Sequence, residues 1–237
     1  MSVLDVAQNI ARELGLNKPG SLVGSTDETN VRMLALIKRA GVMLSKRHDW
    51  SVLTSETTIT TSDGTAYYAL ASDFDRFINQ THWDRTNDVI LRGPINPQRW
   101  QEIKSGVLQT APIKKGFRVK ALAGVKKIYI DPTPSATETL AYEYITNKWL
   151  LNSDASSELA DIAADTDYSK FDEYLLELEV KWRLLESLGL NYLEARDEAD
   201  VEIRRAIGRD GAAPKLDMGE SASVILLANT QETGFGD

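Results

Sequence analysis

The 237-residue chain has no cysteine and only two histidines. Without cysteine there is no disulfide scaffold, thiolate nucleophile, Cys-ligated zinc or iron–sulfur cluster. Two histidines are thin for a metal centre, which usually wants three or four N, S or O ligands. Apolar runs are short, the pentapeptide Val224–Ala228 among them, and fall far below the roughly 20 residues that cross a membrane. Met1-Ser2-Val3-Leu4-Asp5 has no basic stretch and meets an acid at once, so no signal peptide is expected. Neither a GxxxxGKS/T nor a GxGxxG phosphate loop occurs. What is present is length, with 42% hydrophobic residues. A chain of this size buries roughly 70–75% of its unfolded surface and makes one domain or two small ones without staples. The expectation is a soluble protein of a reducing compartment or a virion.

The formal charge of −8 argues weakly against whole-surface binding of nucleic acid. It is unevenly spread. Between Ile90 and Ile130 nine basic residues face one acid, Glu102, for a net of +8. From Asp131 to Leu178 eleven acids face two lysines, for −9, and the tail from Gly211 carries four acids and one lysine. Such blocks either neutralise each other within one fold or offer opposite-sign faces to neighbouring copies.

The hydrophobic periodicity divides the chain into 1–50, 51–150, 151–210 and 211–237. In the first part Val3, Val6, Ala7, Ile10, Ala11 and Leu14 recur at helical spacing up to Gly15. Asp27 caps a second helix, for which Val31, Leu34, Ala35, Ile37 or Lys38, Val42 and Ser45 mark one possible buried face. From Ser51 the period falls to two. Thr54–Thr61, the turn Ser62-Asp63-Gly64-Thr65 and Tyr67–Leu70 read as a hairpin, and Phe77–Trp83, Val89–Leu91, Phe117–Ala121, Lys127–Ile130 and Thr139–Ile145 as further strands. A short helix lies within Pro94–Ser105, with Asn96 as cap, Pro97 first, and Trp100 and Ile103 facing inward. From Phe171 to Ala206 apolar residues step by three or four. A helix from Tyr168 to Ile207, capped near Asp167 or Ser169, would run roughly 60 Å, with Gly189 as the one place for a kink or split. The tail holds a single strand-like island, Val224 to Leu227, and cannot fold alone. The class is α+β: a helical body of two N-terminal helices and one long C-terminal helix, an inserted antiparallel β-sandwich or barrel-like block, and an extended C-terminal tail.

Chemistry-bearing patterns are few. His48-Asp49 and His82-Trp83-Asp84 are the His–carboxylate pairs, and neither comes with a nucleophile or orienting group. Asp165-Thr166-Asp167 opens like a calcium loop, but Lys170 and Leu176 stand where glycine and glutamate belong. No carboxylate pair is singled out for glycoside chemistry, which leaves a virion-associated lytic enzyme the weakest reading. Lys114-Lys115-Gly116-Phe117-Arg118 and Lys126-Lys127-Ile128-Tyr129 interleave cations with aromatics, as single-strand binders do, which makes a nucleic-acid-binding module the alternative function. The five tryptophans, one per structural unit, read as seams between helical body and insertion.

The order of segments resembles a known family. Arg47-His48-Asp49-Trp50-Ser51, Asp63-Gly64, Tyr68 to Phe77, His82 to Asn87, Leu91-Arg92-Gly93-Pro94 and Gln98-Arg99-Trp100 carry it in the first half. Ile128 to Pro134, Tyr142 to Ile145 before Trp149, Ala164 to Asp167, Lys181-Trp182-Arg183 and Gly189-Leu190 carry it in the second. Over roughly Asp27 to Gly211 the chain looks like the head-to-tail adaptor (connector, ring or head-completion) proteins of short-tailed bacteriophages. It departs from them at Ala71, where proline is common. The resemblance implies a structural virion protein and no enzyme, without catalytic residues, cofactor or metal. It implies a ring of twelve copies beneath the portal that extends the DNA channel and offers the tail its attachment surface, in the neck of a virion assembled in host cytoplasm. The partners it implies are the portal protein, neighbouring copies, tail or nozzle proteins and DNA passing without sequence-specific contact, with no membrane. Val224, Ile225, Leu226, Leu227 and Phe235 would dock the tail on the portal. Lys114, Lys115, Arg118, Lys126 and Lys127 would face a neighbouring subunit or DNA.

Overall fold

A computed structural model describes residues 1–105 and 115–211. The element order is α1 (Val3–Glu13), α2 (Glu28–Arg47), β1 (Thr54–Thr60), β2 (Tyr67–Ala69), β3 (Phe74–Phe77), β4 (Trp83–Asp84), β5 (Val89–Ile90) and α3 (Pro97–Lys104). It continues with β6 (Gly116–Leu122), β7 (Val125–Asp131), β8 (Thr139–Thr146), β9 (Leu150–Leu151), β10 (Glu158–Leu159), β11 (Tyr168–Ser169), α4 (Glu173–Ser187) and α5 (Leu193–Asp210). The class is α+β, as the periodicities predict.

Two cores hold it together. One joins α1, α2, α4 and α5 around Trp50, Trp149 and Phe171. The other lies between two antiparallel sheets, and its fully covered members include Phe117, Ile128, Ile130 and Leu140. Strand β8 connects them. It pairs with β1 on one side and with β3 and β4 on the other. Because side chains alternate along a strand, Leu140, Tyr142 and Tyr144 enter the sheet core while Ile145 enters the helical one. That double burial explains why β8 reads as a nearly continuous apolar run rather than an alternating one.

Helix starts follow local chemistry. Ser2 and Asp5 form a reciprocal capping box on α1, Asp27 accepts from Thr29 N and Asn30 N at 2.9 and 3.2 Å, and Asn96 accepts from Arg99 N at 2.8 Å ahead of Pro97. At α4, however, the cap is Asp172, which accepts from Tyr174 N at 2.9 Å. Asp167 is instead buried and ties its own loop, accepting from Ala163 N and Ala164 N at 2.8 Å each. Its neighbour Asp165 accepts from Leu22 N, Val23 N and Ser21 Oγ. Of the two carboxylates of the calcium-like sequence, Asp165 therefore fastens the 21–23 segment and Asp167 closes its own loop. Among the described residues no group of three or more His, Asp or Glu could hold a metal ion, and no helix is long and apolar enough to cross a membrane.

Four expectations are corrected. The single long C-terminal helix is two, α4 and α5. They are separated at Leu188–Tyr192, where Gly189 adopts φ +71°, a left-handed conformation that ends α4. Thr54–Thr61 and Tyr67–Leu70 are not hairpin partners: β1 pairs with β8 and β2 with β7, in different sheets. Phe77–Trp83 is not one strand, because Gln80 at φ +65° breaks it between β3 and β4. The buried face of α2 is Met33, Ile37, Ala40, Gly41, Leu44 and Ser45; it keeps Ile37 and Ser45 of the expected face but is rotated away from Val31, Ala35 and Val42, which lie outside. Here an apolar stripe on the exposed face competed with the core stripe, and periodicity alone could not rank them.

Candidate interaction surfaces

The sheet β2–β7–β6 has one face in the core and an outer face that the segment leading into α3 covers at one end, with Ile95 against Gly116 and the buried Trp100 beside Lys120. Alternation sends Phe117, Ile128 and Ile130 into the core and leaves Tyr67, Arg118, Lys120, Lys127 and Tyr129 on the other side. Register aligns them in rows: Tyr67, Tyr129 and Arg118 face one another across the strands, as do Ala69, Lys127 and Lys120. Lys120 and Lys127 are thus a directly opposed like-charge pair, an arrangement that costs about 0.2–1 kcal/mol. Aromatic faces offset part of it. Lys127 Nζ lies 4.6 Å from the Tyr67 ring centre, and Lys120 Nζ 5.0 Å from that of Tyr129 and 5.3 Å from that of the buried Trp100. Leu122 and Val125 at the β6–β7 turn add an exposed apolar edge.

The five basic candidates of the sequence reading therefore part company. Arg118 and Lys127 share the outer face, both half-buried. Lys126 is on the opposite face of its strand, near the Phe74 ring and Asp75 O. Lys115 is committed inward, 2.5 Å from the fully buried Asp84 and 2.6 Å from Glu138. Burial pushes the Lys115 ammonium down, but hydrogen bonds to Asp84 and Glu138 outweigh it and raise it. Burial likewise pushes Asp84 up, but donors on Lys115, Asn87 and Thr86 hold it below the ordinary carboxylate value. Lys114 and the tail residues Val224, Ile225, Leu226, Leu227 and Phe235 lie outside the described residues. Sequence reasoning missed Lys120, Tyr67 and Tyr129 as members of the face. A strict every-second-residue reading of 118–120 and 127–129 would have found two of them.

The acidic block is largely used internally. Lys104 and Lys115 reach Asp131 and Glu138, linking the two blocks inside one fold, while Asp165, Asp167 and Asp172 hold backbone amides. Glu158 and Asp161 pair with Lys170 and Lys38. By contrast Arg92, Arg118, Lys120, Lys126 and Lys127 form no ion pair among the described residues.

Acid is left exposed elsewhere, at the α4–α5 corner. Leu188, Leu190 and Leu193 are 38, 53 and 58% exposed there. Glu194, Asp197 and Val201 continue along the outer side of α5 at helical spacing, opposite the buried Ala195, Ala199, Ile203 and Ala206. At the other end of α5 an open cavity of about 270 Å³ is lined by Trp50, Val52, Lys170, Phe171 and Arg209 among others. His48 Nε2 pairs with Asp210 at 3.2 Å beside it.

The second His–carboxylate pattern is structural. His82 is buried, stacked on Phe117 at 4.3 Å and edge-on to Phe77, and its Nε2 has no hydrogen-bond partner. Burial pulls its pKa down to about 4. In the unfolded chain histidine titrates near 6.5, so between these values the unfolded state binds the extra proton. Stability contributed by neutral His82 is therefore complete above pH 6.5 and falls by about 3 kcal/mol as pH drops to about 4. His82→Phe keeps the stack and removes the titrating group. Urea unfolding at pH 7.0 and 4.5 is expected to show the variant within about 1.5 kcal/mol of wild type at pH 7 and with a shallower loss at pH 4.5. Equal losses in both proteins would contradict this.

Of the five tryptophans, Trp50 and Trp149 lie in the helical core and Trp100 is covered, but Trp83 is 42% exposed and half-buried Trp182 stacks under Arg183. The seam expectation fails for Trp100, which packs within the insertion beside Lys104 and Lys120, and for Trp83 and Trp182; Trp83 on β4 points away from its buried neighbours His82 and Asp84.

A comparison with curated proteins finds no match. The family model of the SU10 adaptor protein matches residues 1–219, which take in both cores, the outer sheet face and the α4–α5 corner. By that match the chain belongs to the SU10 adaptor protein family, a family of phage structural adaptors.

Proposed function

We propose that the chain is a head–tail adaptor subunit that binds the portal protein, forms a ring with its own copies and offers the tail an attachment surface. The observation that carries this reading is the family match over residues 1–219. The cationic sheet face, without an ion pair among the described residues, and the acidic, leucine-bearing corner support it, since a subunit of an assembly needs surfaces its own fold does not cover. In this reading the segment 219–237, with Val224, Ile225, Leu226, Leu227 and Phe235, is the portal-docking element. The ring extends the DNA channel, and DNA passes without sequence-specific contact.

Mixing the purified chain with portal assemblies and imaging the product by electron microscopy tests it. Added ring density on one face of the portal is expected, and it should be lost when residues 219–237 are deleted while circular dichroism stays unchanged. Portal particles that sediment without the full-length chain would overturn the proposal. Equal binding by the truncated chain would overturn the role of the tail.

A further inference from the structure

We propose that the part of the outer β2–β7–β6 face left uncovered by α3 is the seat for the α4–α5 corner of a second copy of this chain. The inference deepens the ring reading and rests on it, because it names the lateral contact such a ring would use.

Charge and shape of polarity point the same way. The sheet face carries the half-buried Arg118, Lys120 and Lys127, none in an ion pair among the described residues, next to the exposed apolar edge Leu122 and Val125 and the exposed Tyr67. The corner presents Glu194 and Asp197, likewise without an ion pair among the described residues, next to Leu188, Leu190, Leu193 and Val201. Each surface thus combines exposed apolar side chains with uncompensated charge, of opposite sign in the two cases. Lys120 and Lys127 oppose each other across the ladder, and acid from outside would relieve that repulsion. The acids of the 131–178 block are mostly engaged in caps and internal pairs, so the obvious internal partner is already used. A contact between two different patches of identical chains is head-to-tail, and repeats of it close into a ring when the rotation permits. Charge on its rim sets register and association rate, which makes the contact weaker at high salt.

The absence of cysteine gives the test a clean background. Val125→Cys and Leu193→Cys, on separate molecules, place one thiol on each surface, at positions 51 and 58% exposed. The two proteins are mixed, with and without portal, and treated with a short bismaleimide. A covalent dimer is expected in the mixture at about ten times the level in either protein alone. Lys120→Glu/Lys127→Glu on the Val125→Cys partner should reduce it about tenfold, and Glu194→Lys/Asp197→Lys on the Leu193→Cys partner should restore it. Equal dimer in the mixture and in the single proteins, with and without portal, would overturn the proposal. So would loss without restoration accompanied by a duplex-DNA mobility shift that depends on Lys120 and Lys127, which would assign the face to polyanion binding. Portal binding without cross-linking leaves the adaptor reading standing and removes this interface. Cross-linking without portal binding does the reverse.

Discussion

Glu179→Leu is expected to lower the unfolding free energy by about 3–5 kcal/mol, and Glu179→Leu/Arg183→Leu to recover most of that loss. Glu179 is fully buried and Arg183 is 5% exposed, one turn apart on α4. The guanidinium donates to the Glu179 carboxylate and, at 2.6 Å, to the Glu179 carbonyl oxygen. Trp182 Nε1 donates to the same carboxylate at 3.2 Å, and Arg183 lies over the Trp182 ring at 4.2 Å. From α2, Arg47 stands 3.5 Å from Glu179 Oε1 and continues to Asp200 of α5 at 2.7 Å. Helices α2 and α4 thus share one buried carboxylate, and Arg47 ties it on to α5. Burial, reinforced by Arg47 and Arg39, pulls the Arg183 guanidinium down to about 10, which still leaves it charged at neutral pH. Removing Glu179 alone strands that charge beside two like ones. Removing both groups deletes the desolvation cost along with the attraction. Arg183→Leu alone should cost less than Glu179→Leu, because Arg47 remains to face the carboxylate. Urea melts of the four proteins form the cycle. A double variant as unstable as the sum of its parents would show that the pair matters through packing instead of charge.

This network shows where sequence reading stops. Lys181-Trp182-Arg183 was legible as a motif, and the helical period of 173–187 was legible too, but nothing in the spacing tells a buried Glu from a solvated one. The i, i+4 pair Glu179–Arg183 looks the same on a surface helix. Its burial depends on α2 packing over α4, a relation between segments some 130 residues apart. The same holds for β8, where Tyr142-Glu143-Tyr144-Ile145 reads as a strand but its position between two cores is tertiary. Local signals succeeded where the chemistry is local: Asp27 and Asn96 cap helices, and Gly189 ends one. The charge blocks were legible as composition and were resolved only by pairing. Alternation then divides Lys126 from Lys127 and commits Lys115 to Asp84.

Gly41→Ala is expected to destabilise the protein by about 3 kcal/mol, although alanine is intrinsically better in a helix by about 1 kcal/mol. Gly41 lies inside α2, and a Cβ there would stand 2.3 Å from two ring atoms of Trp149 and 2.5 Å from a third. The ring cannot retreat. Trp149 is 1% exposed and stacks on Phe171 at 6.5 Å, which in turn meets Trp50 at 5.7 Å. Steric conflict with a locked ring therefore outweighs propensity. Across a domain of this size the loss corresponds to a fall in melting temperature of about 6–12 °C. Trp149→Leu, which empties the space beneath Gly41, should itself cost about 3–5 kcal/mol through the cavity it leaves. The two changes are not expected to add: Gly41→Ala/Trp149→Leu should be no less stable than Trp149→Leu, since the new methyl enters volume the indole has vacated. Thermal unfolding of the three variants decides it. Strict additivity would mean that the conflict lies in the backbone of α2 and not in the close approach of Gly41 to the indole.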